Sequence, residues 1–204
     1  MKLSGTDDGS QSWRQSVNCD GRAGWALLIA VAVVLVPTAA GDSGRLWMRY
    51  DRQGLAHGQL WRLCSAHLVH LNWRHALLNA AALCLLWVLF AGEYTARRWF
   101  WIVGGALVGI DAGLWFLRPQ VEWYVGASGI LHGVLAAGAL AGYRHRRESG
   151  ALLLLLLIVK LVYEQSTGMS AVDSELPVLP DAHLFGVLGG LIGAWLPGLR
   201  AKSL

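Results

Sequence analysis

The sequence predicts an all-α membrane protein, a bundle of six transmembrane helices with both termini on the cytoplasmic side. Of its 204 residues, 55% are hydrophobic and only 15% are charged. The mean hydropathy of +0.44 lies above the usual range of soluble domains. Six apolar segments follow a polar N-terminal stretch, and the short loops that are rich in arginine fall on one side of the predicted membrane.

Each apolar segment is expected to form a helix, because lipid offers no partners for unpaired backbone groups. The chain then has three parts: a polar cytoplasmic tail over residues 1–24, a six-helix membrane domain over 25–198 and a short basic tail over 199–204. The first outer loop of the membrane domain covers about 41–74. The six apolar segments are 25–40, 75–92, 99–117, 126–143, 151–163 and 182–196.

Charged residues in the loops set the predicted orientation. The loop over residues 166–181 contains three acidic residues and no basic residue, so it is predicted to face outward. The loop over 41–74 carries five arginines, which the same rule would put inside. Its leucines and tryptophans predict an interfacial, partly re-entrant structure instead. The basic residues of the predicted cytoplasmic side are Arg97, Arg98, Arg144, Arg146, Arg147, Arg200 and Lys202.

The first apolar segment also has a second interpretation. Its basic lead-in and the small residues Thr38, Ala39 and Ala40 after Pro37 resemble a signal peptide with a cleavage site. A long polar stretch precedes this segment, however, and the later spans give a consistent count when it is retained. The first segment is therefore predicted to remain as a transmembrane helix.

Cysteine usage and charge exclude several classes of function. Cys19, Cys64 and Cys84 are scattered along the chain, which predicts neither a disulfide framework nor a zinc site. The net charge of +4 comes from basic residues spread among the loops, which argues against nucleic-acid binding. The lipid bilayer is the expected partner, and no cofactor or metal ion is expected.

Two polar residues open apolar segments that would otherwise suit a membrane interior. Ser128 begins the fourth segment and His183 begins the sixth, and both segments run inward from the outer side. A polar group in hydrocarbon is costly unless it faces a cavity or finds a partner. A serine becomes a nucleophile when a base within hydrogen-bond reach takes its proton. His183 is the predicted base for Ser128.

Glycines at four-residue spacing predict that the fourth and sixth helices touch. Gly129 and Gly133 in one segment, and Gly186 and Gly190 in the other, would let two backbones approach closely. This contact would bring Ser128 and His183 together. The alternative is that the glycines only pack helices and that the serine bonds to its own backbone.

A second pair of polar residues lies at the outer end of the second segment. His75 and Asn79 are four residues apart and therefore share one helical face. A histidine N–H beside an asparagine amide suits the oxyanion of a tetrahedral intermediate. The alternatives for His67, His70 and His75 are interfacial hydrogen bonding or a metal cluster, although no carboxylate or thiolate lies at ligand spacing beside these histidines.

Two charged residues lie within other apolar segments, and a third lies just beyond one. Asp111 in the third segment is predicted to pair with a polar group of a neighbouring helix, and the alternatives are that it caps a kink or lines the cavity. Lys160 and Glu164 are four residues apart in and just beyond the fifth segment. They are predicted to pair with each other or to snorkel rather than to take part in catalysis.

Four short patterns occur in order along the chain, and together they resemble the rhomboid intramembrane serine proteases. They are Trp61-Arg62, His70 followed by His75-Ala-Leu-Leu-Asn79, Gly126-Ala-Ser128-Gly129, and Ala182-His183-Leu-Phe-Gly186. The resemblance covers nearly all of the chain after Gly54. It implies a nucleophilic Ser128 with His183 as general base, and no third, acidic member. It also implies oxyanion donors at His75, Asn79 and the Ser128 backbone N–H, with His70 and Gly126 as neighbours of the site.

One departure from the family pattern concerns His132. Typical rhomboids have a tyrosine four residues after the serine, where its ring can stack on the catalytic histidine, whereas this chain has His132. With the short six-span chain, this variant resembles the rhombosortase branch. His132 is also an alternative base, since it lies one turn from Ser128. A partner on the facing helix aims its ring better, which favours His183.

The rhombosortase resemblance implies a substrate class and a location. The substrates would be membrane-anchored proteins with a C-terminal glycine-glycine signal, followed by a hydrophobic helix and a basic tail. The protease would be a multi-pass protein of the bacterial inner membrane, with its active site facing the periplasm.

Three other functions remain as alternatives to the rhombosortase hypothesis. The first is a general rhomboid protease with other substrates. The second is a non-catalytic rhomboid relative that binds membrane clients, against which the retention of Ser128 and His183 argues. The third is a metal or proton transporter built on the histidines, against which the lack of a visible inverted repeat argues.

Overall fold

The computed structural model describes residues 21–145, 147–169 and 179–196, with side chains from residue 24 onward. Most of these residues are helical. The predicted C-terminal tail, nearly all of the predicted N-terminal tail with Cys19, and the middle of the loop over 166–181 lie outside the described residues.

Six of the described helices have 15 residues or more, and three shorter helices form about half of the first loop. In chain order the helices are α1 (Gly21–Leu35), α2 (Gly41–Met48), α3 (Arg52–Ala56), α4 (Arg62–Ser65), α5 (Trp73–Phe90), α6 (Ala96–Ala112), α7 (Ser128–Arg144), α8 (Glu148–Thr167) and α9 (Pro180–Trp195). The long helices correspond one by one to the six predicted apolar segments.

The chain is an integral membrane protein. Within the described residues, four helical stretches are long and apolar enough to cross a bilayer. Large apolar side chains on these stretches point away from the protein, as in Leu152, Leu155 and Ile158 of α8. The four stretches are Gly24–Met48, Trp73–Phe90, Ala96–Leu117 and Glu148–Thr167.

The helix ends differ from the predicted segment bounds by a few residues. Asn72 caps α5 by accepting a hydrogen bond from the His75 N–H at 2.9 Å, so the helix begins at Trp73. Helix α8 is longer than predicted at both ends. Pro37 does not end the helical path of the first segment, because a 3₁₀ turn (Val36–Ala40) leads directly into α2. Capping and turn geometry, which hydropathy does not record, account for these differences.

The first loop is a folded unit rather than a solvated connection. Its strand β1 (Tyr50–Asp51) pairs antiparallel with β2 (Trp123–Tyr124). The guanidinium group of Arg52 donates to four carbonyl oxygens around the end of a π-helical turn, those of Leu114, Trp115, Arg118 and Val121.

Arg62 has a similar role in the first loop. Its guanidinium group donates to the carbonyl oxygens of Leu46 and Arg49 at 3.0 and 2.9 Å. Arg52 and Arg62 therefore satisfy backbone carbonyl groups of the turn after α6 and of the first loop, which gives both arginines a structural role in the fold.

Helix α9 lies between α6 and α7, with almost no side chain between the backbones. A Cβ added at Gly129 would lie 2.7 Å from the carbonyl oxygen of Ala182, so only glycine fits there. This contact between α7 and α9 confirms the prediction for the fourth and sixth segments. A second glycine contact was not predicted: a Cβ at Gly109 of α6 would lie 2.7 Å from the carbonyl oxygen of Phe185 in α9.

Candidate active site

Ser128 is the first residue of α7 and follows a sharp turn at Gly126. This glycine has a φ of +118°, and a Cβ there would lie 2.9 Å from Cε1 of His75. The Gly126 N–H donates to the carbonyl oxygen of Ala66 at 2.9 Å, and the Tyr124 hydroxyl donates to the Gly126 carbonyl oxygen at 2.8 Å. Burial raises the pKa of Tyr124, so the hydroxyl keeps the proton that it donates. These contacts fix where Ser128 enters its helix.

His183 lies opposite Ser128, one turn from the start of α9. The Ser128 Oγ is 3.0 Å from the Nε2 of His183. On the other side of the ring, Nδ1 is 2.7 Å from Oε2 of Glu164 in α8. A hydroxyl, an imidazole and a carboxylate from three helices therefore form one continuous chain of hydrogen bonds.

This geometry suits nucleophilic catalysis. An imidazole nitrogen at 3.0 Å from a serine oxygen can take the hydroxyl proton as the oxygen attacks a carbonyl carbon. His183 is 4% exposed and Glu164 is 0% exposed, so water competes little for the groups that they bond. The arrangement has the connectivity of a serine, histidine and carboxylate triad.

His132 lies beside this chain of hydrogen bonds. Its ring stacks on the His183 ring, with centroids 4.0 Å apart and planes 15° apart. Its Nδ1–H donates to the carbonyl oxygen of Ser128 at 2.6 Å. His183 is thus the ring bonded to the Ser128 hydroxyl, whereas His132 bonds to the backbone of the same residue.

The two predicted oxyanion residues occupy different positions. The His75 ring lies against Gly126, and His75 and Ser128 line the same cavity of about 210 Å³. Asn79 is buried one turn deeper on α5, and its Nδ2 donates to the carbonyl oxygen of His75 at 3.1 Å. The structure brings His75 to the turn before Ser128, and the Asn79 amide is engaged with its own helix.

Two further histidines of the first loop, His70 and His67, are buried near the site. The ring of His70 meets that of His75 edge to face, with centroids 5.1 Å apart. Burial, with a smaller effect of the neighbouring His75, lowers the pKa of His70 to about 3, so this ring is neutral. His67 Nε2 is 3.3 Å from Oδ1 of Asp111, so Asp111 has a polar partner as predicted, but this partner lies in a turn of the first loop rather than on a neighbouring helix.

Sequence reasoning missed the contact between Glu164 and His183. The predicted pairing of Glu164 with Lys160 is present as a short hydrogen-bonded ion pair. However, Glu164 shares the inward face of α8 with Leu157 and Leu161, so its carboxylate meets His183 instead of reaching the membrane surface. No acidic residue was expected beside Ser128 and His183. This expectation is wrong, because the carboxylate of Glu164 contacts His183. A nearly uniform leucine helix gave no signal for its inward face.

One set of side chains in the described part of the protein has the geometry of a metal site. Donor atoms of His132, Glu164 and His183 lie within 4.8 Å of one another. The carboxylate of Glu164 is already bonded to Lys160 and His183, so a metal ion would have to displace both contacts. The histidines His67, His70 and His75 do not form such a set.

Comparison with known proteins gives one family. The family model of the rhomboid domain matches residues 57–200, which include all of the site residues described above. A Bacillus subtilis (strain 168) protein named "Putative rhomboid protease YdcA" is 26% identical over 151 residues, a stretch that covers 70% of this chain and 70% of that protein.

Proposed function

Since the chain belongs to the rhomboid family, we propose that it is an intramembrane serine protease with Ser128 as nucleophile and His183 as general base. The observation that carries the proposal is the 3.0 Å distance between Ser128 Oγ and His183 Nε2, across two helices that glycines hold in contact. The nucleophile and its base come from separate helices, and their side chains meet without any other residue between them.

The reaction passes through an acyl-enzyme. Ser128 Oγ attacks the scissile carbonyl carbon while its proton moves to His183 Nε2, and the carbonyl electrons move to oxygen. Collapse of this tetrahedral intermediate breaks the C–N bond, and His183 gives the proton to the leaving amine. Water then attacks the ester, passes a proton to His183, and the second collapse returns that proton to Ser128 Oγ. The products are a carboxylic acid and an amine.

His75, Asn79 and the Ser128 backbone N–H are proposed to stabilise the oxyanion. Support comes from the position of the His75 ring, which shares a cavity with Ser128. Donors aimed at the developing negative charge lower the barrier to acyl transfer, typically by about 3 kcal/mol each. Asn79 would join after its amide leaves the His75 carbonyl oxygen, and His70 supports His75 through the edge-to-face ring contact.

We propose that all six long helices span the bilayer and that both termini are cytoplasmic. Helices α7 and α9, at 17 and 16 residues, are shorter than the four helical stretches that are long enough to cross a bilayer, but their glycine faces are buried among neighbouring helices. The membrane domain then covers 25–198, with tails at 1–24 and 199–204. In this topology, Ser128 and His183 lie near the outer face of a bacterial inner membrane and act from the periplasmic side.

The proposed substrates are membrane-anchored proteins with a C-terminal glycine-glycine signal, a hydrophobic helix and a basic tail. His132 stands at the position that marks the rhombosortase branch, and its ring stacks on His183. The cavity beside Ser128, about 210 Å³, suits small side chains. Glycine also weakens a helix, by about 1 kcal/mol per residue relative to alanine, which helps a peptide bond to reach the nucleophile.

Co-expression with a tagged substrate of this design tests the proposal. The intact enzyme should release the tagged ectodomain, whereas Ser128→Ala and His183→Ala should not. Undiminished release by Ser128→Ala would refute the serine-protease mechanism. Release that persists with His183→Ala but is lost with His132→Ala would assign the base to His132.

A second substrate distinguishes a rhombosortase from a general rhomboid protease. Replacing the glycine-glycine pair by leucines, with the hydrophobic helix and basic tail kept, should abolish release if the enzyme reads the C-terminal signal. Equal cleavage of both substrates would indicate a general rhomboid protease with broader substrates.

A further inference from the structure

Glu164 is a carboxylate in the interior of a membrane protein. It lies on α8, one of the four stretches apolar enough to cross the bilayer, and it is 0% exposed. A charged side chain at such a position costs several kcal/mol unless a partner compensates it. Its partners include the Lys160 ammonium one turn earlier on α8, and the Nδ1 of His183 on α9 at 2.7 Å.

The contact with Glu164 determines which nitrogen of His183 carries the proton. An ionised carboxylate can only accept hydrogen bonds, so the Nδ1 of His183 must be the donor. The Nε2 of the neutral ring then has a free electron pair directed at the Ser128 hydroxyl, 3.0 Å away. This is the tautomer that a general base needs.

Lys160 determines whether Glu164 can have this effect. A buried carboxyl group without a nearby cation favours its neutral form. A neutral carboxyl group can donate its own proton to Nδ1, which would leave the hydrogen on Nε2 and deprive Ser128 of an acceptor. The Lys160 side chain is 21% exposed and forms an ion pair with Glu164, so the charge of the carboxylate is balanced in place.

We propose that Glu164 is a positioning residue that Lys160 keeps ionised, and that the pair holds His183 in the base tautomer. The carboxylate also stabilises the imidazolium that forms when Nε2 takes the Ser128 proton. This inference rests on the proposed function, and it extends the catalytic pair to a relay of four residues. Among the described groups, the charged or titratable ones that face Glu164 are Lys160 on α8, His183 on α9 and His132 on α7.

Variants of the two residues test the relay in purified, full-length protein. Glu164→Gln should lower kcat by about 100- to 10,000-fold with little change in KM, because the amide can set the wrong tautomer. Lys160→Met should lower kcat at neutral pH and regain activity as the pH rises, whereas Lys160→Arg should retain most of the activity. Gln165→Met, at an exposed neighbouring position on α8, is the matched control and should behave like the intact enzyme.

A fluorophosphonate probe separates this inference from the proposed function, because it reports on the Ser128 nucleophile without a protein substrate. Probe labelling equal in the intact enzyme and Ser128→Ala would refute the protease mechanism. Labelling that requires Ser128, but has the same rate and pH profile in Glu164→Gln as in the intact enzyme, would overturn the relay and leave the protease standing.

A measurement on the unmodified enzyme covers the case in which a variant does not fold. Side-chain ¹⁵N resonances of labelled histidine distinguish the two tautomers. We expect His183, assigned by its loss in His183→Gln, to carry hydrogen on Nδ1 at neutral pH. Hydrogen on Nε2 with a bare Nδ1 would contradict the proposal.

Discussion

His132 lies face to face with His183, and this contact restricts how the base can turn. The ring centroids are 4.0 Å apart, and the His132 Nδ1–H is held by the carbonyl oxygen of Ser128. His183 is therefore supported on its flat side by His132 and at its edge by Glu164. An imidazole confined in this way loses little further freedom when the reaction begins.

We predict that a ring at position 132 is more important than its nitrogen atoms. His132→Ala should lower kcat/KM by about fivefold, since an aromatic pair contributes about 1 kcal/mol beyond its buried area. His132→Phe keeps the stacked ring and should stay close to the intact enzyme. Equal losses in both variants, measured by substrate cleavage, would assign the effect to the hydrogen bond with Ser128.

At the scale of single residues, the candidate site residues that could be predicted are those that stand in a recognisable local sequence pattern. Ser128 follows a glycine motif, and His183 opens a glycine-rich segment at the same predicted depth. Glu164 carries no such mark, because its effect depends on which face of a leucine-rich helix turns inward. That face is set by packing against α7 and α9, which no local pattern records.

Helix α9 contacts both of its neighbours through backbone atoms at glycines. A Cβ at Gly105 would lie 2.5 Å from the carbonyl oxygen of Gly189, and one at Gly190 would lie 2.7 Å from the Cα of Gly133. The contact with α7 was predictable from four-residue spacing. The contact with α6 carries the same signal, since Gly105 and Gly109 also lie four residues apart, but it was not among the predictions.

We predict that added volume at these contacts separates the site residues. Gly190→Ala should destabilise the protein by about 1 to 3 kcal/mol, because the backbones must move apart, and should reduce cleavage as well. Gly104→Ala, where an added Cβ meets nothing within 4 Å, is the control and should be neutral or slightly stabilising. Thermal unfolding in detergent gives the comparison, and equal stability of the two variants would contradict it.

The first loop is held together by arginine side chains that bind carbonyl oxygens. We predict that Arg52→Leu lowers the stability by at least about 2 kcal/mol, because it leaves four carbonyl groups without their charged donor. Arg97→Leu, at an exposed position at the start of α6, should change the stability little. A normal melting temperature for Arg52→Leu would show that water replaces the guanidinium group.

At the scale of the whole molecule, the first loop and the loop between α7 and α8 should lie on opposite sides of the membrane. In a cysteine-free background, His57→Cys should react with an impermeant maleimide applied to intact spheroplasts, because residue 57 is exposed in the first loop. Glu148→Cys, exposed at the start of α8, should react only after the membrane is opened. Labelling of both before opening would refute the proposed topology.

Hydropathy alone located all six long helices, since apolar length is a local property. The fold of the first loop could not be predicted from the sequence, because the carbonyl groups that accept hydrogen bonds from Arg52 lie more than 60 residues away along the chain. The same holds for the strand pairing of Tyr50 with Tyr124, which joins two segments of two residues each. Long-range polar contacts, rather than helix formation, mark the limit of prediction here.

The glycine contacts also divide the relay into a fixed half and a separable half. Ser128 and His183 are carried by helices whose backbones touch, so their spacing is resistant to lateral movement. Glu164 and Lys160 are carried by α8, which touches the α7 backbone near its own start, at Gly150, and farther along packs through larger side chains such as Leu157 and Leu161. Any opening of the bundle along α8 would thus withdraw the carboxylate from His183 and leave the serine next to an unoriented ring. Such an enzyme would be inactive while the helix bundle is open along α8, and it would become active when the bundle closes.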